Sequence, residues 1–129
     1  MACRILIVDD NALNRRLAVA ILGRQGWSTA EASDGQQALQ MLAGAHGFDA
    51  VLLDISMPEL NGDEVCCRLR TDPANVHLPV VAYTAHAMEE DRRRILEAGF
   101  DAIAIKPVTI SSLLEPIAQA MVLRGVAPD

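Results

Sequence analysis

Five short apolar runs, at residues 4–8, 27–32, 49–53, 78–83 and 101–105, alternate with five stretches of helical periodicity. Parallel strands need a long crossover to reach one another, and a helix is the usual crossover. The rhythm therefore predicts a parallel β-sheet with helices on both faces, a doubly wound α/β fold. Val51-Leu52-Leu53 and Val80-Val81-Ala82 lack the polar alternation of a half-exposed strand, as expected where both faces of the sheet are covered. With 129 residues, 51% of them apolar, one buried core is expected: a domain over 1–124 and a short disordered tail at 125–129.

The helical stretches carry their own signals. Leu17, Ala18, Ile21 and Leu22 form the stripe of the first, which closes near Gly23 and Gly26. Asp34 followed by Gln37 resembles a capping box for the second, with Ala38, Leu39 and Leu42 inward. The third, at 61–70, turns Val65, Cys66 and Leu69 to the core and stops before Asp72-Pro73. The fourth, at 88–98, has a thin stripe of Met88, Ile95 and Leu96 and two i,i+4 pairs, Glu89 with Arg93 and Glu90 with Arg94. So little apolar area makes it a candidate for movement, since local opening costs less where few apolar contacts resist it. The fifth aligns Ile110, Leu113, Leu114, Ile117 and Met121 but holds Pro116 within the pattern, which requires either a kink or a late start.

A net charge of -6 disfavours nucleic acid and anionic lipid as direct partners. No apolar run approaches the ~18 residues of a membrane span and the start lacks a signal-peptide pattern, so a cytoplasmic protein is expected. Cys3, Cys66 and Cys67 show no metal-ligand spacing and are odd in number. They read as packing residues rather than a disulfide framework or a zinc site. His46 and His77 read as surface loop residues.

Ligands of an open parallel sheet bind beyond the carboxyl ends of its strands. Asp9, Asp10, Asp54, Thr84 and Lys106 stand at four such ends, an arrangement that core packing does not explain. Carboxylates so clustered repel, by roughly 4 kcal/mol for a pair 4 Å apart at an effective dielectric of 20, so a positive charge belongs among them. Oxygen-only donors in small number suit Mg2+. Lys106 would hold a phosphoryl oxygen, Thr84 would donate a hydrogen bond to another, and Asp54 is the natural nucleophile. A plainer role, capping the first helix, is open to one of Asp9 and Asp10.

These residues lie in segments that together resemble the receiver domain of two-component response regulators, in its single-domain, chemotaxis-regulator-like form. The segments are Ile-Leu-Ile-Val-Asp-Asp-Asn from Ile5, Leu-Leu-Asp-Ile-Ser-Met-Pro-Glu-Leu-Asn-Gly from Leu52, Thr84-Ala85 and Lys106-Pro107. The resemblance runs from Arg4 to about Leu123. It implies a flavodoxin-like (βα)5 sheet in the strand order 2-1-3-4-5, and phosphorylation of Asp54 from a phosphohistidine on a sensor histidine kinase or phosphotransfer protein. It further implies Mg2+ on Asp10 and Asp54 directly, on Asp9 through water and on the Ser56 carbonyl. Thr84, the Ala85 amide and Lys106 would contact the phosphoryl group, and the Lys106-Pro107 bond would be cis.

Receivers usually carry Tyr or Phe three residues before the lysine, where this chain has Ile103, so the usual coupling of that ring to the threonine is expected to differ here. Tyr83 points to the other side of its strand from Thr84 and reads as a packing residue, with a modulating role in signalling as the alternative. Ser56 and His86 flank the path of an attacking water and would set the phosphoryl lifetime. Ile103 and Pro116 together suggest an unusual output face on the fourth helix, fifth strand and fifth helix.

The function expected is that of a phosphoacceptor acting through a downstream protein target, not an enzyme on foreign substrates. It would be a monomer or weak dimer that binds neither DNA nor membrane. A phosphate shuttle or sink, the receiver part of a hybrid kinase, and a receiver-like interaction module without phosphorylation are the alternatives. A hydrolase would need a second acid or base, for which His86 is the best candidate. Dinucleotide binding lacks its glycine fingerprint after the first strand.

Overall fold

The computed structural model describes residues 3–44, 46–57, 59–85, 88–106 and 109–125. Strands β1 (Arg4–Val8), β2 (Ser28–Ala32), β3 (Ala50–Asp54), β4 (Val80–Thr84) and β5 (Ala102–Ile105) are all parallel, in the order β2-β1-β3-β4-β5. They alternate with α1 (Ala12–Arg24), α2 (Gly35–Met41), α3 (Gly62–Thr71), α4 (Glu89–Glu97) and α5 (Ile110–Leu123). The fold class, strand order and helix count match the expectation, and each strand begins or ends within two residues of its expected limits.

Strand order reverses between β1 and β3, so the helices divide into two layers. Ala18, Ile21, Leu113 and Ile117 of α1 and α5 cover one face of the sheet; Ala38, Val65, Leu69 and Ile95 of α2, α3 and α4 cover the other. Successive strand residues point to opposite faces. Ile5, Ile7, Leu52, Val81, Tyr83 and Ala104 therefore belong to the α1/α5 core, and Leu6, Val8, Leu53, Val80 and Ala82 to the opposite one. Central β3 and β4 are buried throughout, while edge strand β2 is exposed or half-buried along most of its length.

Helix starts follow local chemistry. Asn11 caps α1, taking the amides of Leu13 and Asn14, so neither Asp9 nor Asp10 has that role. Asp34 accepts from the Gln37 amide, but Gln37 reaches back to the Ser33 amide at 2.7 Å rather than to Asp34, a capping box displaced by one residue. Asn61 caps α3, and Thr109 with Ser112 forms a full capping box on α5. Because α5 starts at Ile110, Pro116 lies well inside it; the late start is ruled out, and the Ser112 carbonyl loses its i+4 donor.

Several expected core residues lie outside. Leu17 and Ile110 are exposed at the margin between α1 and α5, because the stripes on both helices are narrower than the run of apolar letters. On α4 only Ile95 is buried; Met88 is 77% and Leu96 52% exposed. The i,i+4 pairing expected of Arg94 gives way to Asp63 of α3, 3.0 Å away. His46 is not a free loop residue: its Nε2 lies 2.7 Å from Oδ1 of buried Asn75, and its Nδ1 accepts the Phe48 amide at 3.0 Å. His77 is exposed, as expected.

At the amino ends of the strands a polar clamp gathers α3, β5 and α5. Asp101 receives Arg70 at 3.0 Å, Arg124 at 2.7 Å and the Val80 amide at 3.0 Å. Arg70 also donates to the carbonyls of Leu78 and Gly99. Cys66 is buried, which pushes its thiol up to about 12, while Cys67 is exposed; no disulfide joins the described cysteines. Among the described residues no helix is long and apolar enough to cross a membrane. The tail at 126–129 lies outside the described residues.

Candidate functional site

At the opposite end of the sheet, strand geometry delivers three charged groups to one place. Asp54 is the last residue of β3, Asp9 follows β1 and Lys106 follows β5. Each continues the alternation of the α1/α5 face: Asp9 after Ile5 and Ile7, Asp54 after Ala50 and Leu52, Lys106 after Ala102 and Ala104. The Lys106 amide donates to the Thr84 carbonyl at 2.8 Å, carrying the pairing of β4 and β5 one residue beyond the strand. Its ammonium then sits 3.2 Å from Asp9 Oδ2 and 3.3 Å from Asp54 Oδ2.

Both carboxylates are buried and held. Asp54 Oδ1 accepts the Ser56 amide at 3.0 Å, and Asp9 Oδ1 accepts the Asn11 amide at 2.9 Å. The Asp9 carbonyl takes Arg15 Nη1 at 2.6 Å, and Arg15 pairs with Glu31 at 3.1 Å, which ties the β1–α1 turn to the end of β2. Burial raises the Asp54 pKa above its ordinary 3.8; the Ser56 amide opposes this, the nearby Asp9 charge adds to it and Lys106 offsets part. Burial is the main cause, and the lysine offsets it only in part.

Asp10 is exposed and completes the cluster. One oxygen from each of Asp9, Asp10 and Asp54 lies within 4.8 Å of the others. Asp9 Oδ2 is buried and accepts no hydrogen bond among the described residues, although the ammonium is close by. Three oxygen donors, an unsatisfied buried carboxylate oxygen and a surplus of negative charge fit a hard divalent cation such as Mg2+.

The floor of the site depends on Gly62 at the start of α3. A Cβ there would stand 2.5 Å from the Asp54 carbonyl oxygen and 2.6 Å from Ile55 Cα, so the helix can approach Asp54 this closely only with glycine. Glu59, in the same β3–α3 connection, holds a left-handed backbone with φ of 66°, an uncommon conformation for a residue with a side chain.

The other expected residues fall as follows. Thr84 is buried at the end of β4 and continues the side of Val80 and Ala82, while Ala85, next to it in sequence, and Ser56, two residues beyond Asp54, are exposed. Ile103 is half-buried on that same face, paired in register with Ala82. Tyr83 is on the opposite face, as expected, but is more than packing: its ring centroid lies 4.6 Å from Lys106 Nζ. Burial, with Asp9 and Asp54 nearby, pushes the Tyr83 hydroxyl up to about 12. His86, and the Lys106-Pro107 bond with its expected cis geometry, lie outside the described residues. Sequence reasoning missed Arg15 and the Lys106–Tyr83 contact. The shared face of Tyr83 and Lys106 was available from strand periodicity, whereas Arg15 gave no signal distinct from a surface arginine.

The fold and site define a doubly wound α/β protein with an acidic pocket at the carboxyl edge of its sheet. The family model for the response regulator receiver domain matches residues 5–118, and the chain belongs to that family. It is 38% identical over 117 residues to the polar-differentiation response regulator DivK of Brucella ovis, covering 91% of this chain and 94% of that one. Similarity extends to the sensor histidine kinase RcsC of Salmonella typhi, at 40% identity over 114 residues, and to hybrid signal transduction histidine kinase I of Dictyostelium discoideum, at 37% over 120. Those matches cover 88% of this chain but only 12% and 7% of the kinases' lengths. The receiver domain of sensor histidine kinase PA1611 from Pseudomonas aeruginosa, solved with a magnesium ion coordinated in its active site cleft, superposes with a TM-score of 0.84 at 28% identity. That superposition covers 95% of this chain and 99% of the other.

Proposed function

We propose that this receiver accepts a phosphoryl group on Asp54 from a phosphohistidine of a sensor histidine kinase or phosphotransfer protein, in the cytoplasm, and signals by contact with a downstream protein. The observation that carries the proposal is the Lys106 ammonium set between two buried carboxylates, 3.2 Å from Asp9 and 3.3 Å from Asp54, with Asp9 Oδ2 accepting no hydrogen bond among the described residues. Asp9, Asp10, Asp54 and the Ser56 carbonyl would hold Mg2+. When bound, the ion supplies positive charge against the carboxylates and the phosphoryl oxygens.

The chain's own groups do the rest. The Ser56 amide fixes Asp54 Oδ1, orienting the carboxylate for attack along one direction. An Asp54 oxygen forms the O–P bond as the N–P bond to the donor imidazole breaks; the ring keeps the electron pair and takes up a proton. Lys106 moves its attraction from the Asp54 charge to a phosphoryl oxygen, and Thr84 and the Ala85 amide donate to the others. Hydrolysis of the resulting acyl phosphate returns the protein to its starting state, so the chain acts only on itself.

Incubation with acetyl phosphate and Mg2+, followed by intact mass measurement, tests the reading. A gain of one phosphoryl group is expected for the wild type, with none for Asp54→Asn or when Mg2+ is chelated. An equal gain in Asp54→Asn would overturn the assignment. The likeness to RcsC and the Dictyostelium hybrid kinase favours a second setting, in which the same chemistry operates within a longer kinase polypeptide. Immunoblotting cells with an antibody to this domain separates the two by the size of the band.

A further inference from the structure

Ten of the eleven cationic side chains are arginines; Lys106 is the one lysine, and Tyr83, whose ring it touches, is the one tyrosine. We propose that Tyr83 is a positioning residue, its ring forming the surface on which the Lys106 ammonium is held above the Asp9–Asp54 pair. The inference deepens the phosphoacceptor reading and rests on it for the consequence in rate, though not for the contact itself.

The contact follows from the sheet. Tyr83 lies in register with Asp54 on β3 and with Ala104 on β5, all facing the α1/α5 layer. Ala104 is too small to fill the space beside the ring, and Lys106, two residues farther on, projects over it. The ring is 1% exposed and the lysine 19%, so the 4.6 Å ammonium-to-ring contact is largely shielded from water, where such attraction is strongest.

The ring differs from the carboxylates in what happens when ligands arrive. A divalent cation entering the pocket competes with Lys106 for Asp9 and Asp54, and phosphoryl oxygens compete with those carboxylates for the Lys106 ammonium. The ring quadrupole is not part of that competition. It holds the ammonium at the mouth of the pocket while its carboxylate partners change, and limits the swing of a stem with four rotatable bonds. Ile103 cannot do this, since it lies on the other face of the sheet.

Because the chain has a single lysine, lysine labelled with carbon-13 reports on Lys106 alone. Shielding by the ring should move its ε-methylene resonance upfield of free lysine in the wild type and in Tyr83→Phe, and the shift should vanish in Tyr83→Leu. Phosphorylation of Asp54 by acetyl phosphate at saturating Mg2+ should stay within about twofold for Tyr83→Phe and slow about five- to tenfold for Tyr83→Leu. Tyr83→Met gives the same two readings if Tyr83→Leu does not fold. A wild-type Lys106 resonance at the free-lysine position, or a wild-type rate in the folded leucine or methionine variant, would overturn the proposal. A shifted resonance in a wild type that gains no phosphoryl group would support the ring contact and overturn the phosphoacceptor reading.

Discussion

Asp54 is buried beside Asp9 with one lysine for two carboxylates, and its proton affinity in the fold exceeds that of an unfolded aspartate near 3.8. The folded state therefore holds this proton more tightly than the unfolded chain, and stability falls as pH rises through the interval from 3.8 to the raised value. Above that interval the ionised carboxylate destabilises the fold. Without divalent cation, Asp54→Asn should raise Tm at neutral pH by roughly 2–5 °C, with the gain shrinking on acidification through the interval and absent below 3.8. Parallel thermal melts check it; an unchanged or lower Tm for Asp54→Asn at neutral pH would contradict it. At Gly62 a methyl group meets the Asp54 carbonyl at 2.5 Å, so Gly62→Ala should destabilise by about 1–3 kcal/mol in urea denaturation. The five site residues were legible because polar side chains at strand ends have no packing explanation. Gly62 appeared in the sequence only as part of a motif, since its reason is an approach between β3 and α3 that no local pattern encodes.

α4 is the element least tied to the core. Ile95 is its single buried side chain, Met88 provides no side-chain cap, and Arg94 reaches α3 from an exposed position. Its amides should exchange with deuterium faster than those of α1, α3 and α5, as local opening is easiest where few apolar contacts resist it. Protection of α4 equal to that of α5 would contradict this. The thinness of α4 was visible in its charge density, but its apolar stripe was overestimated, because Met88 and Leu96 are apolar letters without a facing surface. Strands were read well for the opposite reason: central β3 and β4 are buried on both sides, and continuous apolar runs have no competing interpretation at that length. The position of Pro116 was ambiguous until the Thr109–Ser112 capping box placed the start of α5 ahead of it.

At the scale of the whole molecule, the chemistry and a principal fastening lie at opposite ends of one sheet. Asp101 joins Arg70 and Arg124 at the amino edge, far along the strands from Asp54. Removing its charge leaves two guanidinium groups without their partner, so Asp101→Asn should cost about 3 kcal/mol in denaturant unfolding while leaving the acetyl phosphate reaction of the folded protein within about twofold. A folded Asp101→Asn chain that cannot be phosphorylated would show the two ends to be coupled. This clamp was not legible in the sequence, because Arg70, Asp101 and Arg124 belong to three separate elements and meet only in the tertiary fold. The central claim concerns the other end, and trapping the phosphorylated protein with borohydride tests it most directly, since reduction converts an acyl-phosphate aspartate into homoserine that peptide sequencing by mass spectrometry can locate. Homoserine is expected at Asp54 alone and only after reaction with Mg2+ present; homoserine at Asp9 or Asp10, or at no aspartate, would contradict the account.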